Sequence, residues 1–190
     1  MSLLSLSSFF GCAPSQSSPR GNPDFEEVAI RIVKAFEDDS IHPIEDILSQ
    51  SALETSDLME GIHYGNSLLK GSKKAKIEKK SCVEGDLFLH GKQAKDFACT
   101  FYVLTEERDY RLSFQYFVMI EIYPQDYGLY RIHFEDEETY MEGVAKFQRD
   151  KENDIGPLHW NYGATYERAG IYNPKWQTTP PPNGDTSQRY

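Results

Sequence analysis

The N-terminal third of the chain carries apolar residues at the spacing of an amphipathic helix. They recur three or four positions apart, at Phe25, Val28, Ile32 and Phe36. Asn22 followed by Pro23 supplies residue types that favour a helix start. We therefore predict a helix that begins with Asn22 as its N-cap, faces a core, and ends at the break over residues 40–43.

Two further helices are predicted before the pattern changes. Ile44, Ile47 and Leu48 indicate a short second helix. A third helix is expected from Leu53 to Tyr64, ending near Gly65, because glycine is typical of helix ends.

From residue 71 onward the apolar positions alternate, as in strands with one buried face. We predict strands over residues 73–83, 97–105 and 110–123, and a return strand after a turn at residues 124–128. On the first strand the expected inward residues are Ala75, Ile77, Ser81 and Val83. On the third they are Tyr110, Leu112, Phe114, Tyr116, Val118, Ile120 and Ile122. On the return strand they are Tyr130, Ile132 and Phe134, which leaves His133 outside the core.

The C-terminal part divides into three segments. Residues 135–151 predict a helix, since acidic residues come first and basic residues last. The following segment, residues 152–176, is rich in aromatic residues: Trp160, Tyr162, Tyr166, Tyr172 and Trp176. It either packs across the domain as an arm or presents these rings to a partner. Residues 177–190 have the composition of a disordered tail.

This order of elements indicates a single α+β domain over residues 22–151. N-terminal helices would pack on a curved antiparallel meander sheet, followed by a C-terminal helix and the aromatic-rich arm. Over residues 23–135 the order resembles the nuclear transport factor 2-like (cone-shaped, cystatin-related) superfamily. The resemblance implies helices that wrap a curved sheet around a pocket.

Enzymes of that superfamily that isomerise or dehydrate small molecules place an Asp, His or Tyr in this pocket. Here Tyr110 and Tyr116 lie on the predicted core face and could reach it. A tyrosine on a core face more commonly packs, with its hydroxyl at the rim. Both interpretations stay open on the sequence.

The first 21 residues resemble a bacterial lipoprotein signal followed by a tether. A short apolar run leads to Phe9-Phe10-Gly11-Cys12, although it lacks the usual preceding Lys or Arg. The resemblance implies lipidation of Cys12, and residues 13–21 have the small and polar composition of a flexible linker. The protein would then be lipid-anchored in the bacterial cell envelope. The alternative is a cytoplasmic protein with a chance cysteine.

Cys82 and Cys99 are placed symmetrically about the step from His90 to Gly91. A two-residue hairpin there would set the two cysteines opposite each other, at a spacing that a disulfide tolerates. In an oxidising envelope we expect this bridge, which would stabilise the fold by roughly 3 kcal/mol. Without export, two unrelated buried thiols are the expected state.

The charge of −10 and the pI near 5.0 argue against a general nucleic-acid binder. They suit a protein that meets a basic partner. Within this acidic sequence there is one basic cluster, formed by Lys70, Lys73, Lys74, Lys76, Lys79 and Lys80. It either lies against anionic lipid or, more commonly, protects a sheet edge from pairing.

No nucleotide-binding, serine-hydrolase or metal-ligand motif occurs in the sequence, so no cofactor and no metal are expected. Two functions remain. The favoured one is a non-catalytic, envelope-anchored binding or accessory lipoprotein, in one version an immunity protein, that recognises a protein or small ligand. The membrane would be contacted only through the lipid. The alternative is a small pocket enzyme of the isomerase or dehydratase type.

Overall fold

A computed structural model describes residues 22–72, 76–89, 91–141 and 169–174. The helices are α1 (Phe25–Glu37), α2 (Gln50–Leu53) and α3 (Leu58–Leu69), with a 3₁₀ turn at Pro124–Asp126. The strands are β1 (Lys76–Leu89), β2 (Lys92–Leu104), β3 (Asp109–Ile120), β4 (Gly128–Asp136) and β5 (Gly170–Ile171). They form one sheet in the order of the sequence, antiparallel from β1 to β4, with β5 parallel to β4. The predicted α+β fold, with N-terminal helices on a meander sheet, is confirmed.

The side chain of Asp24 caps the N-terminus of helix α1. The Asp24 carboxylate accepts hydrogen bonds from the amides of Glu26 (3.0 Å) and Glu27 (3.4 Å), so it satisfies two of the amides that a helix start leaves unpaired. The predicted cap at Asn22 is therefore wrong by two residues. The apolar stripe of α1 is buried as expected, at Val28, Ala29, Ile32, Val33, Ala35 and Phe36.

The predicted second helix is wrong. Residues 42–47 form turns, and Leu48 makes a bridge to Leu129 of β4. Ile44 is fully buried, so these apolar residues fill the core without forming a helix. The short helix α2 starts afterwards, where the Ser49 hydroxyl accepts a hydrogen bond from the Ala52 amide (3.1 Å).

Helix α3 runs through Gly65 and ends at Leu69, five residues beyond the predicted end at Tyr64. Gly65 therefore does not end the helix but lies at a close contact with Phe36. A Cβ atom at this position would lie 2.4 Å from Cδ1 of Phe36, and one at Gly61 would lie 2.5 Å from the carbonyl oxygen of Ile171. The two glycines let α3 approach α1 and β5 closely.

The core lies between the helices and one face of the sheet, here called the helix side. Aromatic rings link the layers: Phe36 lies 5.0 Å from Phe134, and Phe25 lies 4.7 Å from Phe97, between ring centroids. Within the sheet, Tyr110 stacks on Phe134 at 5.2 Å. Ring pairs at these separations add stabilisation beyond the area that they bury.

Bulges change which residues face this core. On β1, Lys80 is an extra residue between the pairs Lys79–Phe101 and Ser81–Thr100. Ile77 faces the helix side as predicted, but the extra residue turns Ser81 and Val83 to the opposite face, here called the outer face. Val83 is consequently 62% exposed, and its predicted inward position is wrong.

Two more bulges, at Val118 in β3 and Tyr130 in β4, create a second apolar cluster. The bulged Tyr130, and Ile120 beyond the bulge in β3, point away from the main core. Leu129 takes the inward place predicted for Tyr130. The second cluster consists of Ala94, Phe117, Ile120 and Tyr130, with Ile122 packed against it. The predicted inward positions of Ile120, Ile122 and Tyr130 are therefore wrong.

The predicted disulfide is confirmed. Strands β1 and β2 meet at the pair Leu89–Lys92, and the pairing continues without interruption to Cys82 and Cys99. The two sulfur atoms are bonded, and the two Cα atoms lie 4.0 Å apart. Both strands reach the two-residue turn, so β1 ends six residues later, and β2 starts five residues earlier, than predicted.

Strand β4 continues to Asp136, so helical residues follow at 137–141 instead of starting at Glu135. The Asp136 carboxylate accepts hydrogen bonds from the amide (2.9 Å) and the hydroxyl (2.8 Å) of Thr139. Burial favours the neutral acid, but these hydrogen bonds and the charge of Arg108 outweigh it and hold the pKa of Asp136 below its ordinary value. The rest of the predicted helix lies outside the described residues.

The approach of α3 to Phe36 can be tested by Gly65→Ala. Alanine favours a helix by about 1 kcal/mol over glycine. We expect the clash with the buried Phe36 ring to exceed this gain and to lower the free energy of unfolding by about 1–3 kcal/mol. Ser67→Ala, at an exposed position of the same helix, is the control in urea denaturation. An unchanged or raised stability of Gly65→Ala would show that α3 does not pack this closely.

Candidate functional site

The outer face of the sheet carries a row of polar side chains on β3 and β4. Because alternate residues of a strand share a face, the pairing of these strands brings the side chains together. Three cross-strand pairs form the row: Arg111 with Glu135, Ser113 with His133, and Gln115 with Arg131. We call these six residues the outer polar row.

At the centre of the row, His133 contacts Glu135. The His133 Nδ1 lies 3.3 Å from a Glu135 carboxylate oxygen, and their side chains are 9% and 3% exposed. The His133 ring also packs on Tyr172, with centroids 4.1 Å apart. His133 is on the outer face, as alternation predicts, but it is buried because the segment that contains β5 lies beside it.

Tyr64 reaches this cluster from α3. Its ring meets Tyr172 edge-on at 6.0 Å. Burial raises the pKa of the Tyr64 phenol, and the neighbouring Tyr172, Glu135 and Asp136 raise it further because they disfavour another negative charge. The phenol therefore stays neutral and can donate a hydrogen bond over the usual range of pH.

A second buried contact lies toward β1. The Gln115 amide donates a hydrogen bond to the Asp96 carboxylate, and both residues are buried. A Cβ atom at Gly85 would lie 2.4 Å from an Asp96 oxygen, so Gly85 leaves space for this carboxylate. The oxygen of the Gln115 amide accepts no hydrogen bond from the described residues.

Arg111 lies at the opposite end of the row. Its guanidinium carbon is 3.8 Å from the centre of the Tyr140 ring, a cation–π contact with the start of the helical segment. The row thus combines cationic, anionic and neutral groups on one face of the sheet, and Gln115, His133 and Glu135 are buried. Within the described residues, no group of His, Cys, Asp and Glu side chains is placed to hold a metal ion.

The structure does not bring the two predicted pocket tyrosines together. The Tyr110 hydroxyl donates a hydrogen bond to the carbonyl of Leu68 (2.6 Å), and Tyr116 packs near Phe25, with ring centroids 6.1 Å apart. Both lie on the helix side of β3, six residues apart, which corresponds to about 20 Å along a strand. In the structure both side chains contribute to the core.

Of the predicted partner-binding rings, Tyr172 is described, and it is buried against His133 and Tyr64. The predicted sites Cys12, Trp160, Tyr162, Tyr166 and Trp176 lie outside the described residues. The sequence interpretation missed the outer polar row. The alternation of Arg131, His133 and Glu135 between apolar residues is the signal that could have indicated it.

The raised pKa of Tyr64 predicts a pH effect on stability. In the unfolded chain the phenol ionises near pH 10, whereas the folded state holds the proton to higher pH. The free energy of unfolding should therefore fall more steeply above about pH 10 in the wild type than in Tyr64→Phe. Tyr127→Phe, at an exposed tyrosine, is the control and should fall in parallel with the wild type. Denaturation at a series of alkaline pH values measures this, and parallel curves for Tyr64→Phe would contradict it.

Among the described residues, no helix is both long and apolar enough to cross a membrane. No curated protein and no solved structure matches the chain. One family matches residues 31–153, a region that contains the pairing of β1 to β4 and most of α1. Since this match spans more than half of the chain, the protein belongs to the family described as a domain of unknown function, DUF5104.

Proposed function

We propose that the protein is a non-catalytic binding or accessory lipoprotein, anchored in the bacterial cell envelope through Cys12, that recognises a protein or small ligand. The observation that supports this most strongly is the disulfide between Cys82 and Cys99. Disulfides form and persist in oxidising compartments outside the cytoplasm. A chain that keeps this bond is therefore best explained as an exported one.

The disulfide also supports a separate role for Cys12, as the site of lipidation. The chain has three cysteines, and pairing two of them leaves Cys12 alone, directly after Gly11 and an apolar run. An unpaired cysteine in an exported protein is exposed to unwanted oxidation. Lipidation would remove this thiol and anchor the chain, with residues 13–21 as the tether.

The outer face supports binding over catalysis. The His133 ring is covered by Tyr172, and Glu135 is buried beside it, so this pair is suited to hold the sheet and the β5 segment together. The Tyr110 hydroxyl is already used by the Leu68 carbonyl. With a net charge of −10, the protein would suit a basic partner, as in the immunity-type version of this proposal.

The alternative, a small pocket enzyme of the isomerase or dehydratase type, has one supporting observation. His133 and Glu135 are an imidazole and a carboxylate in contact, the groups that general acid–base chemistry uses. The order of helices and meander strands also supports the resemblance to the nuclear transport factor 2-like superfamily. Because Tyr172 covers the His133 ring, this function is the less favoured of the two.

Metabolic labelling with an alkyne analogue of palmitate tests the anchor in bacteria that produce the full chain. We expect the wild type to carry the label and to sediment with membranes, because the acyl chain on Cys12 holds it there. Cys12→Ser should lose the label and become soluble. The double variant Cys82→Ser, Cys99→Ser removes two other cysteines and should keep the label.

A wild-type protein that is soluble and unlabelled would contradict the proposal. So would a Cys12→Ser variant that keeps the label, since another residue would then carry the acyl chain.

A further inference from the structure

The first strand of the sheet presents a long edge to solvent. Strand β1 is 14 residues long, and among the described strands it pairs only with β2, through all of its residues except Lys80. Val83 and Phe88 are large apolar side chains, and they are 62% and 74% exposed. A long edge with exposed apolar residues is a template for pairing with another strand.

The charges on β1 are divided between its two halves. The first half carries Lys76, Lys79, Lys80 and one acid, Glu78, which pairs with Lys76 at 2.6 Å. The second half carries Glu84, which pairs with Lys95 of β2 at 2.5 Å, and Asp86. The first half is therefore net basic and the second net acidic. Lysines on an edge normally prevent pairing, but here they occupy only part of it. An antiparallel copy of the same strand would bring each basic half to an acidic half, so the charge pattern selects a second copy of this chain over an unrelated strand.

The bulge at Lys80 determines which side chains can meet across such a contact. Residues that pair with the inward positions of β2 face the helix side, namely Ile77, Lys79 and Cys82. By alternation beyond Cys82, the residues Glu84, Asp86 and Phe88 share that side, whereas Val83 lies on the outer face. When two β1 strands pair across a two-fold axis, residues that lie opposite each other must point to the same face of the joined sheet.

We propose that two copies of the chain form a two-fold dimer in which their β1 strands pair antiparallel, centred on Val83. In this register Val83 meets the partner's Val83, and Lys79 lies opposite the partner's Asp86. Ile77 lies opposite the partner's Phe88, so the exposed aromatic ring gains an apolar neighbour. Each contact except the central one occurs twice, and the two sheets join into one.

The neighbouring registers that keep the same faces together are less favourable. Centring the pair on Cys82 would set Ile77 against the partner's Asp86. Centring it on Glu84 would oppose two carboxylates at the axis, which is destabilising. The Val83 register is therefore the one that matches both charge and apolar character. The dimer does not depend on the lipid anchor and adds a property to the proposed function.

Sedimentation velocity over a series of concentrations tests the dimer. The sample is the full chain with Cys12→Ser, which carries neither an acyl chain nor an odd thiol. We expect a monomer–dimer equilibrium. Lys79→Glu and Asp86→Lys should each raise the dimer Kd by about tenfold or more, because each opposes like charges twice. Combining them restores opposite charges and should recover the dimer.

Further variants separate loss of pairing from loss of folding. Val83→Lys sets two ammonium groups at the axis and should abolish the dimer, whereas Ile30→Lys, at an exposed apolar residue of α1, should not. Lys70→Glu changes the net charge as Lys79→Glu does, but lies outside β1. Circular dichroism of each variant verifies the fold.

A chain that stays monomeric at every concentration would overturn the proposal. A dimer that persists in Val83→Lys, or a charge-swapped double variant that fails to recover, would overturn it as well.

Discussion

The register of β1 against β2 is the constraint on which the rest of the described structure depends. The turn between Leu89 and Lys92 has two residues, so it leaves one way for the strands to pair. The side-chain period of a strand is two, and a slip of one residue would turn every side chain of β1 to the other face. Cys82 would then lose its position opposite Cys99.

Three consequences follow from this register. It aligns Ile77 and Cys82 of β1 with the core-facing Val103 and Cys99 of β2, respectively. It creates a disulfide of the kind that is typical of oxidising compartments, which connects the fold to the proposed envelope location. Together with the bulge at Lys80, it also decides that Val83 lies exposed on the outer face at the edge of the sheet.

The outer face shows how distant segments complete the domain. His133 and Glu135 are placed by β4, but the His133 ring is covered by Tyr172, which follows more than thirty residues later in the chain. Buried polar groups are costly unless they are paired. The contact between Tyr172 and His133 therefore stabilises one position of residues 169–174 against the sheet. Tyr64 adds a neutral phenol from α3 to the same cluster.

Local periodicity predicted much of this fold. The stripe on α1 and the alternation on β3 as far as Tyr116 are strong signals, because each depends on one element and one buried face. The symmetry of Cys82 and Cys99 predicted the hairpin register. The bulges were missed because a period of two assumes an unbroken ladder. Glycine is typical of a helix end, and the neighbours of Gly65 in the sequence do not indicate its contact with Phe36, which is tertiary.

The candidate site was less predictable for the same reason. Alternation predicts the face of β3 on which Tyr110 and Tyr116 lie, but their surroundings come from Leu68 of α3 and Phe25 of α1. The burial of His133 depends on a two-residue strand too short to leave a period in the sequence. Pattern alone therefore predicts the face of a strand and not what covers it.

The central claim, that this register holds a disulfide in an exported protein, is tested most directly by peptide mapping without reduction. Bacteria that produce the full chain are treated with a permeant alkylating reagent before lysis, so that thiols cannot pair afterwards. The account predicts a peptide containing Cys82 linked to one containing Cys99. Alkyl groups on both cysteines would contradict it, because the chain would then have folded with free thiols.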